Sequence, residues 1–171
     1  MDREFEAFVR DALPSLGRFA RSLTGDVQAA EDLLQDTFVR VGTAWPRVRR
    51  DGNPVPYAKA VMVNLHISGV RWRRRRTRLP EGDVPSGADD VHLARVDDRD
   101  ELFRALNLLP PLQRAVLVLG YLDDMDDAGI ARIVGRRETT VRSLRRRALA
   151  TLRSGLGATH PLIDDEVKES G

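Results

Sequence analysis

The sequence predicts an all-α fold: two helical domains joined by a flexible acidic linker. Three observations carry that prediction. Apolar residues recur at spacings of three and four through most of the chain, and no alternating strand pattern competes with them. The stretch 79–98 breaks the periodicity with Pro80, Gly82, Pro85, Ser86 and Gly87. Charge divides at the same places: net +6 over 1–78, −5 over 79–98, +4 over 99–157 and −3 over 158–171. The expected organisation is a first domain over 1–78, a linker over 79–98, a second domain over 99–157 and a disordered tail over 158–171.

Each element has its own signal. Phe5, Phe8, Val9, Ala12, Leu13, Leu16, Phe19, Ala20 and Leu23 make an amphipathic helix, which Pro14 should kink or split. Thr24-Gly25-Asp26 reads as a stop and a fresh N-cap. The next helix is expected to run to about Val41, with Ala29, Ala30, Leu33, Leu34, Thr37, Phe38 and Val41 on one face and Asp32, Gln35, Asp36 and Arg40 on the opposite one. Residues 46–56 read as loop by composition. Asn53 before Pro54 has the form of an N-cap with proline at the first helical position. The third helix carries Ala58, Val61, Met62, Leu65, Ser68 and Trp72 and ends in an arginine run, Arg71 to Arg78.

In the second block Leu102, Phe103, Leu106 and Leu109 form one stripe that Pro110-Pro111 stops. A helix over 112–122 follows, then an acidic turn in which Asp126 or Asp127 caps the next helix. A short helix over 128–134, a turn at Gly135 and a longer arginine-rich helix over 139–152 have the lengths of a helix-turn-helix. With Val141, Leu144 and Ala148 inward, Thr139, Arg142, Ser143 and Arg146 face outward, where such a motif reads base edges. Arg136, Arg137 and Arg147 flank that face and suit phosphates.

Composition removes other classes. The 171 residues include no cysteine, which excludes disulfides, thiolate metal sites and a cysteine nucleophile. No apolar run approaches the roughly 20 residues of a membrane span, and the acidic, amphipathic start does not read as a signal peptide, so none is expected. The expectation is a cytoplasmic protein with no cofactor and no metal. An enzyme is disfavoured: the three histidines have no metal-ligand spacing, the Asp123–Asp127 cluster lacks the glycine and terminal glutamate of a calcium loop, and there is no phosphate-cradling glycine loop. Six arginines within 71–78 far exceed what a helix dipole asks for and point to phosphate binding.

Ala30-Glu31-Asp32-Leu33-Leu34-Gln35-Asp36-Thr37-Phe38-Val39-Arg40 resembles the region 2 signature of sigma-70 family factors, with Asp36 in place of the usual glutamate. Pro56-Tyr57, Val63-Asn64-Leu65 and the arginine run resemble the later part of that region. Leu108-Leu109-Pro110-Pro111-Leu112-Gln113-Arg114 resembles the opening of region 4, and Ile130-Ala131, Gly135 and Glu138-Thr139-Thr140-Val141-Arg142-Ser143 its helix-turn-helix. Two regions in this order with nothing between them but a linker resemble the extracytoplasmic-function (ECF) type, over about residues 5–153.

The resemblance implies a transcription initiation factor that binds core RNA polymerase and promoter DNA. It implies docking on the clamp helices of the largest subunit through Asp32, Gln35, Asp36 and Arg40. It implies capture of a flipped base of the −10 element in a loop over 49–56, with Asp51, Gly52 and Asn53 nearest, although a plain turn selects the same residues. Asn64 matches a position near the melted strand, and Arg71, Arg74 and Arg75 would hold phosphates. Thr139, Arg142, Ser143 and Arg146, with Arg136, Arg137, Thr140 and Arg147, would take the −35 element. An anti-sigma factor is the further partner implied.

Three departures bear on detail. Arg137 stands where the family has a small polar cap, so that Thr139 is an alternative N-cap. Gly129 stands in place of a glutamate and should weaken its helix. Ser68 stands in place of an aspartate. The competing reading is a stand-alone helix-turn-helix regulator that binds duplex DNA without polymerase.

Overall fold

The structure, a computed structural model, describes residues 2–76 and 104–156, apart from the side chains of 70–76, 155 and 156. The linker expected over 79–98, the residues Leu102 and Phe103 and the tail over 158–171 lie outside them. Helices α1 (Arg3–Thr24), α2 (Val27–Asp51) and α3 (Pro54–Arg76) form the first bundle. A short helical segment over 104–107, then α4 (Pro111–Leu122), α5 (Asp127–Val134) and α6 (Glu138–Leu156), form the second. No described helix is long and apolar enough to cross a membrane.

Helix α1 is held at both ends. The Asp2 side chain accepts from the Glu4 amide at 3.0 Å, and Gly25 closes the other end in the left-handed region at φ 72°. Asp26 then caps α2, accepting from the Ala29 amide at 2.7 Å. Pro14 does not split α1. Pro14 and Arg10, whose carbonyl loses its amide partner, both lie on the exposed side, where water can replace that bond. The other side buries Ala12, Leu16, Phe19, Ala20 and Leu23.

A larger correction concerns residues 46–51, expected as loop. Helix α2 runs through Pro46 to Asp51. Tertiary packing overrides composition here. Trp45 and Val48 continue the inward stripe of Thr37 and Val41, and both are buried. The Trp45 ring lies 5.2 Å from those of Phe5 and Phe8, and Phe8 meets Phe38 edge-on at 6.4 Å. Gly42 lets Phe5 approach: a β-carbon there would stand 3.1 Å from its ring. Arg49 seals the far end, donating to Glu4 at 2.7 Å; that carboxylate holds the guanidinium above its ordinary pKa range. Trp45→Ala should therefore destabilise the first bundle by about 3–5 kcal/mol. Urea unfolding would show this, with loss of helicity in the second half of α2.

The first core centres on Leu16, Leu23, Val41, Met62 and Val63, all fully buried, and Thr37, whose hydroxyl donates to the Leu33 carbonyl at 2.6 Å. In the second bundle α6 lays Val141, Ala148, Leu149 and Leu152 against α4 and the segment carrying Ala105, Leu106 and Leu109. The two bundles also touch. Helix α1 packs on α4, and α3 packs on both α4 and α5. One apolar cluster runs across the seam from Leu16 and Met62 to Val116 and Ile130.

Candidate functional site: two exposed faces

The first face lies on α2. Asp32, Gln35, Asp36 and Arg40 are all exposed, at spacings that set them on one stripe, while Leu33, Thr37 and Val41 are buried behind them. The Gln28 side chain donates to Asp32 at 3.5 Å. The sequence reading missed Val39, which lies within this polar stripe and is 69% exposed. Val39 is thus an exposed apolar residue flanked by polar and charged ones. Its signal was present in the sequence as the one apolar residue out of phase with the buried stripe.

The corner between α2 and α3 corrects the expected eight-residue loop. Asp51 is the last residue of α2, Gly52 is its left-handed cap at φ 68°, and Asn53 holds the N-cap position of α3, its carbonyl accepting from the Tyr57 amide at 3.4 Å. The connection is two residues because α2 persists through Pro46. Asp51, Gly52 and Asn53 are all exposed at this corner. Arg47 and Tyr57 bracket it, the guanidinium 5.9 Å from the ring centroid. Asn64 is exposed on α3, about 16 Å further along at 1.5 Å per residue. Arg71, Arg74 and Arg75 occupy the last turns of α3, and their side chains lie outside the described residues.

The second face is the helix-turn-helix of α5 and α6. Asp126, not Asp127, caps α5, accepting from the Gly129 amide at 2.7 Å. Gly129 is therefore in the first turn rather than the helix interior. A β-carbon there would stand 2.7 Å from Met125 and 2.9 Å from the capping carboxylate, so glycine suits the site that it was expected to weaken. Gly135 ends α5 in the left-handed region at φ 64°. Helix α6 then begins at Glu138. Arg137 holds the N-cap position, its carbonyl accepting from the amides of Thr140 and Val141 at 2.9 and 3.0 Å. Thr139 is thus inside the first turn and does not cap, because the backbone turn after Gly135 already fixes the start.

Thr139, Arg142, Arg146 and Arg147 are exposed; Thr140 and Ser143 are half-buried. Thr139, Thr140, Ser143 and Arg147 line one shallow depression of about 320 Å³. Arg136 and Arg137 are exposed at the turn before it. Arg142 is not simply splayed into solvent. It reaches Asp127 at 3.2 Å and Glu138 at 3.4 Å. Asp127 also pairs with Arg145 at 2.7 Å, and both of those side chains are mostly covered. Asp127 therefore ties the two helices together and sets the angle at which α6 is presented. The sequence offered Asp127 only as a cap or a member of the acidic turn and did not single out Arg145, because their pairing is visible only once the helices cross. Among the described residues no group of His, Cys, Asp and Glu is placed to hold a metal ion.

Comparison with known proteins places both faces in one family. The profile for sigma-70 region 2 matches residues 8–77, and that for sigma-70 region 4 matches residues 99–152. An RNA polymerase sigma-E factor of Streptomyces avermitilis is 34% identical over 154 residues, spanning 90% of this chain and 85% of the relative. An ECF RNA polymerase sigma factor SigC of Mycobacterium tuberculosis is 30% identical over 143 residues, spanning 82% and 77%. The solved sigma factor RpoE of Bartonella quintana, in complex with the anti-sigma factor NepR, matches with a TM-score of 0.73 at 25% identity, covering 93% of this chain and all of that one. A helix bundle bearing the region 2 signature, a helix-turn-helix bearing that of region 4 and full-length relatives thus agree, and the chain belongs to the ECF subfamily of sigma-70 RNA polymerase sigma factors.

Proposed function

We propose that this chain binds core RNA polymerase through the α2 face and directs it to promoters, the α2–α3 corner and α3 engaging the −10 element and α6 the −35 element. The observation that carries the reading is the pair of faces on one chain: an exposed acidic stripe with a single valine, and a helix-turn-helix presenting arginines. A regulator that binds DNA alone has use for the second face only.

In this reading Asp32, Gln35, Asp36 and Arg40 supply complementary charge and Val39 the apolar contact. Asp51, Gly52 and Asn53 meet an unpaired base at the corner, where Gly52 lets the backbone approach closely, and Asn64 follows the separated strand. The arginines at 71, 74 and 75 hold phosphates. On α6, Thr139, Arg142, Ser143 and Arg146 take base edges, while Arg136, Arg137, Thr140 and Arg147 position the backbone. An anti-sigma factor is proposed as the regulatory partner, supported by the solved relative that carries one. The test is holoenzyme formation: the purified chain mixed with bacterial core polymerase should co-elute with it in equal proportion. A chain that binds duplex DNA cleanly and leaves core polymerase untouched would establish the stand-alone regulator instead.

A further inference from the structure

We infer that Asp127 and Glu138 are positioning residues: together they hold one edge of the Arg142 guanidinium, so that its outer fork meets a guanine of the −35 element and sets the preference at that base pair. The inference rests on the promoter reading above and deepens it, naming the base that is read and the residues that aim the side chain.

Two of the three guanidinium nitrogens are engaged. The Arg142 Nε donates to Asp127 Oδ2 at 3.2 Å, and Nη2 donates to Glu138 Oε2 at 3.4 Å. A guanidinium carries five N–H groups in one plane. Nε and Nη2 share its side edge, while Nη1 and Nη2 together form a second fork that points outward along the side chain. The two carboxylates take the side edge, and no described residue takes Nη1. What remains is a two-donor fork, the arrangement that pairs with guanine O6 and N7. The side chain is 62% exposed, so the fork is open to a ligand.

The two carboxylates come from different helices. Asp127 opens α5 and is 22% exposed; its Oδ1 pairs with Arg145 at 2.7 Å, which keeps Oδ2 turned toward Arg142. Glu138 opens α6, one helical turn before Arg142. Arg142 is thus fixed from both sides, whereas an untethered arginine loses rotamer freedom when it meets DNA. Exposed ion pairs add little stability; what these two supply is orientation.

Charge explains why such a group reads a base and not a phosphate. Two cations, Arg142 and Arg145, face two anions, Asp127 and Glu138, so the cluster carries no net formal charge. Phosphate binding is driven by positive charge and counterion release, and a neutral cluster offers neither. A carboxylate at the start of a recognition helix repels the DNA backbone, a cost that is offset where it aims a base-reading side chain. Arg146 and Arg147, one turn further on, have no ion-pair partner among the described residues and keep their full charge.

The test uses holoenzyme assembled from the full chain and core polymerase, with duplexes selected from a pool randomised across the −35 element and then changed one base pair at a time. The selected duplexes should contain one G·C pair whose replacement costs the parent about 30-fold, and Arg142→Ala should abolish that discrimination. Glu138→Ala, an exposed substitution, should lower the same preference about tenfold, leave the other positions unchanged and steepen the salt dependence by roughly one ion, as Arg142 is freed for a phosphate. Glu138→Ala/Arg142→Ala should discriminate as Arg142→Ala does alone, the sign that one residue acts through the other. Asp127→Asn should shift the preference in the same direction as Glu138→Ala. A Glu138→Ala holoenzyme with the parent's preference and salt dependence would overturn the inference. So would a preference lost at a different base pair and lost equally in the Arg142→Ala background, which would make Glu138 itself a reader of cytosine. A parent with no G·C pair that depends on Arg142 would overturn it as well. Core polymerase that fails to bind contradicts the promoter reading, and the same selection with the chain alone then decides what Arg142 reads.

Discussion

The double variant Asp32→Arg/Asp36→Arg should lose binding to core polymerase by more than about 100-fold, roughly 3 kcal/mol. Both carboxylates are exposed on the same stripe of α2, and the buried stripe behind them is untouched by the change. Thermal and urea midpoints should therefore stay within the small range of surface substitutions, about 0.5 kcal/mol. That combination separates a docking defect from a folding defect. Val39→Asp should act in the same direction, because it puts a charge where the exposed valine would be desolvated. Retained binding by the double variant, measured by fluorescence titration with core polymerase, would remove α2 as the docking helix.

On the second face two kinds of arginine should respond differently. Arg146→Ala should cost about 1–3 kcal/mol at one base pair and relax the sequence preference there, as expected for a side chain paired with a base edge. Arg147→Ala should weaken binding about equally on all sequences and reduce the salt slope by roughly one ion. The two residues are adjacent and both exposed, so any difference between them reflects what they touch. Arg142→Ala is a less clean test. Its guanidinium is shared with Asp127 and Glu138, so its loss also loosens the tie between α5 and α6. Holoenzyme binding to duplexes carrying single changes in the −35 element, at several salt concentrations, measures all three.

Periodicity made most of the helices legible, and local chemistry marked several ends. Thr24-Gly25-Asp26, Asn53-Pro54 and Gly135 each do in the structure what their residue types suggest, because caps and left-handed glycines are set within a few residues of chain. The second half of α2 was not legible in the same way. Arginine, glycine and three prolines over 46–56 read as loop, and what keeps 46–51 helical is Trp45 against Phe5 and Phe8, which come from far earlier in the chain. The inward spacing of Val41, Trp45 and Val48 was the available signal. The cap position of α6 was ambiguous at Arg137 and Thr139, and the backbone after Gly135 decides it in favour of Arg137.

Charge patterning revealed the two faces but not the pairings within and between them. Asp127 with Arg142 and Arg145, and Lys59 with Asp123, join residues whose proximity depends on how helices cross. The seam was the least legible feature. A sequence with an acidic, glycine- and proline-containing stretch between two blocks suggests independent bundles, yet Arg114 reaches 91 residues back to cap α1. Nothing local distinguishes that arginine from the many that lie on the surface.

The central claim is that this chain gives core polymerase its choice of start site. In vitro run-off transcription on fragmented genomic DNA, with core polymerase alone and with the chain added, tests it most directly. The account predicts a defined set of new transcripts, each starting a fixed distance downstream of a shared two-part motif, and their loss with Asp32→Arg/Asp36→Arg. Transcription unchanged by the chain, beside sequence-specific duplex binding by the chain alone, would contradict it.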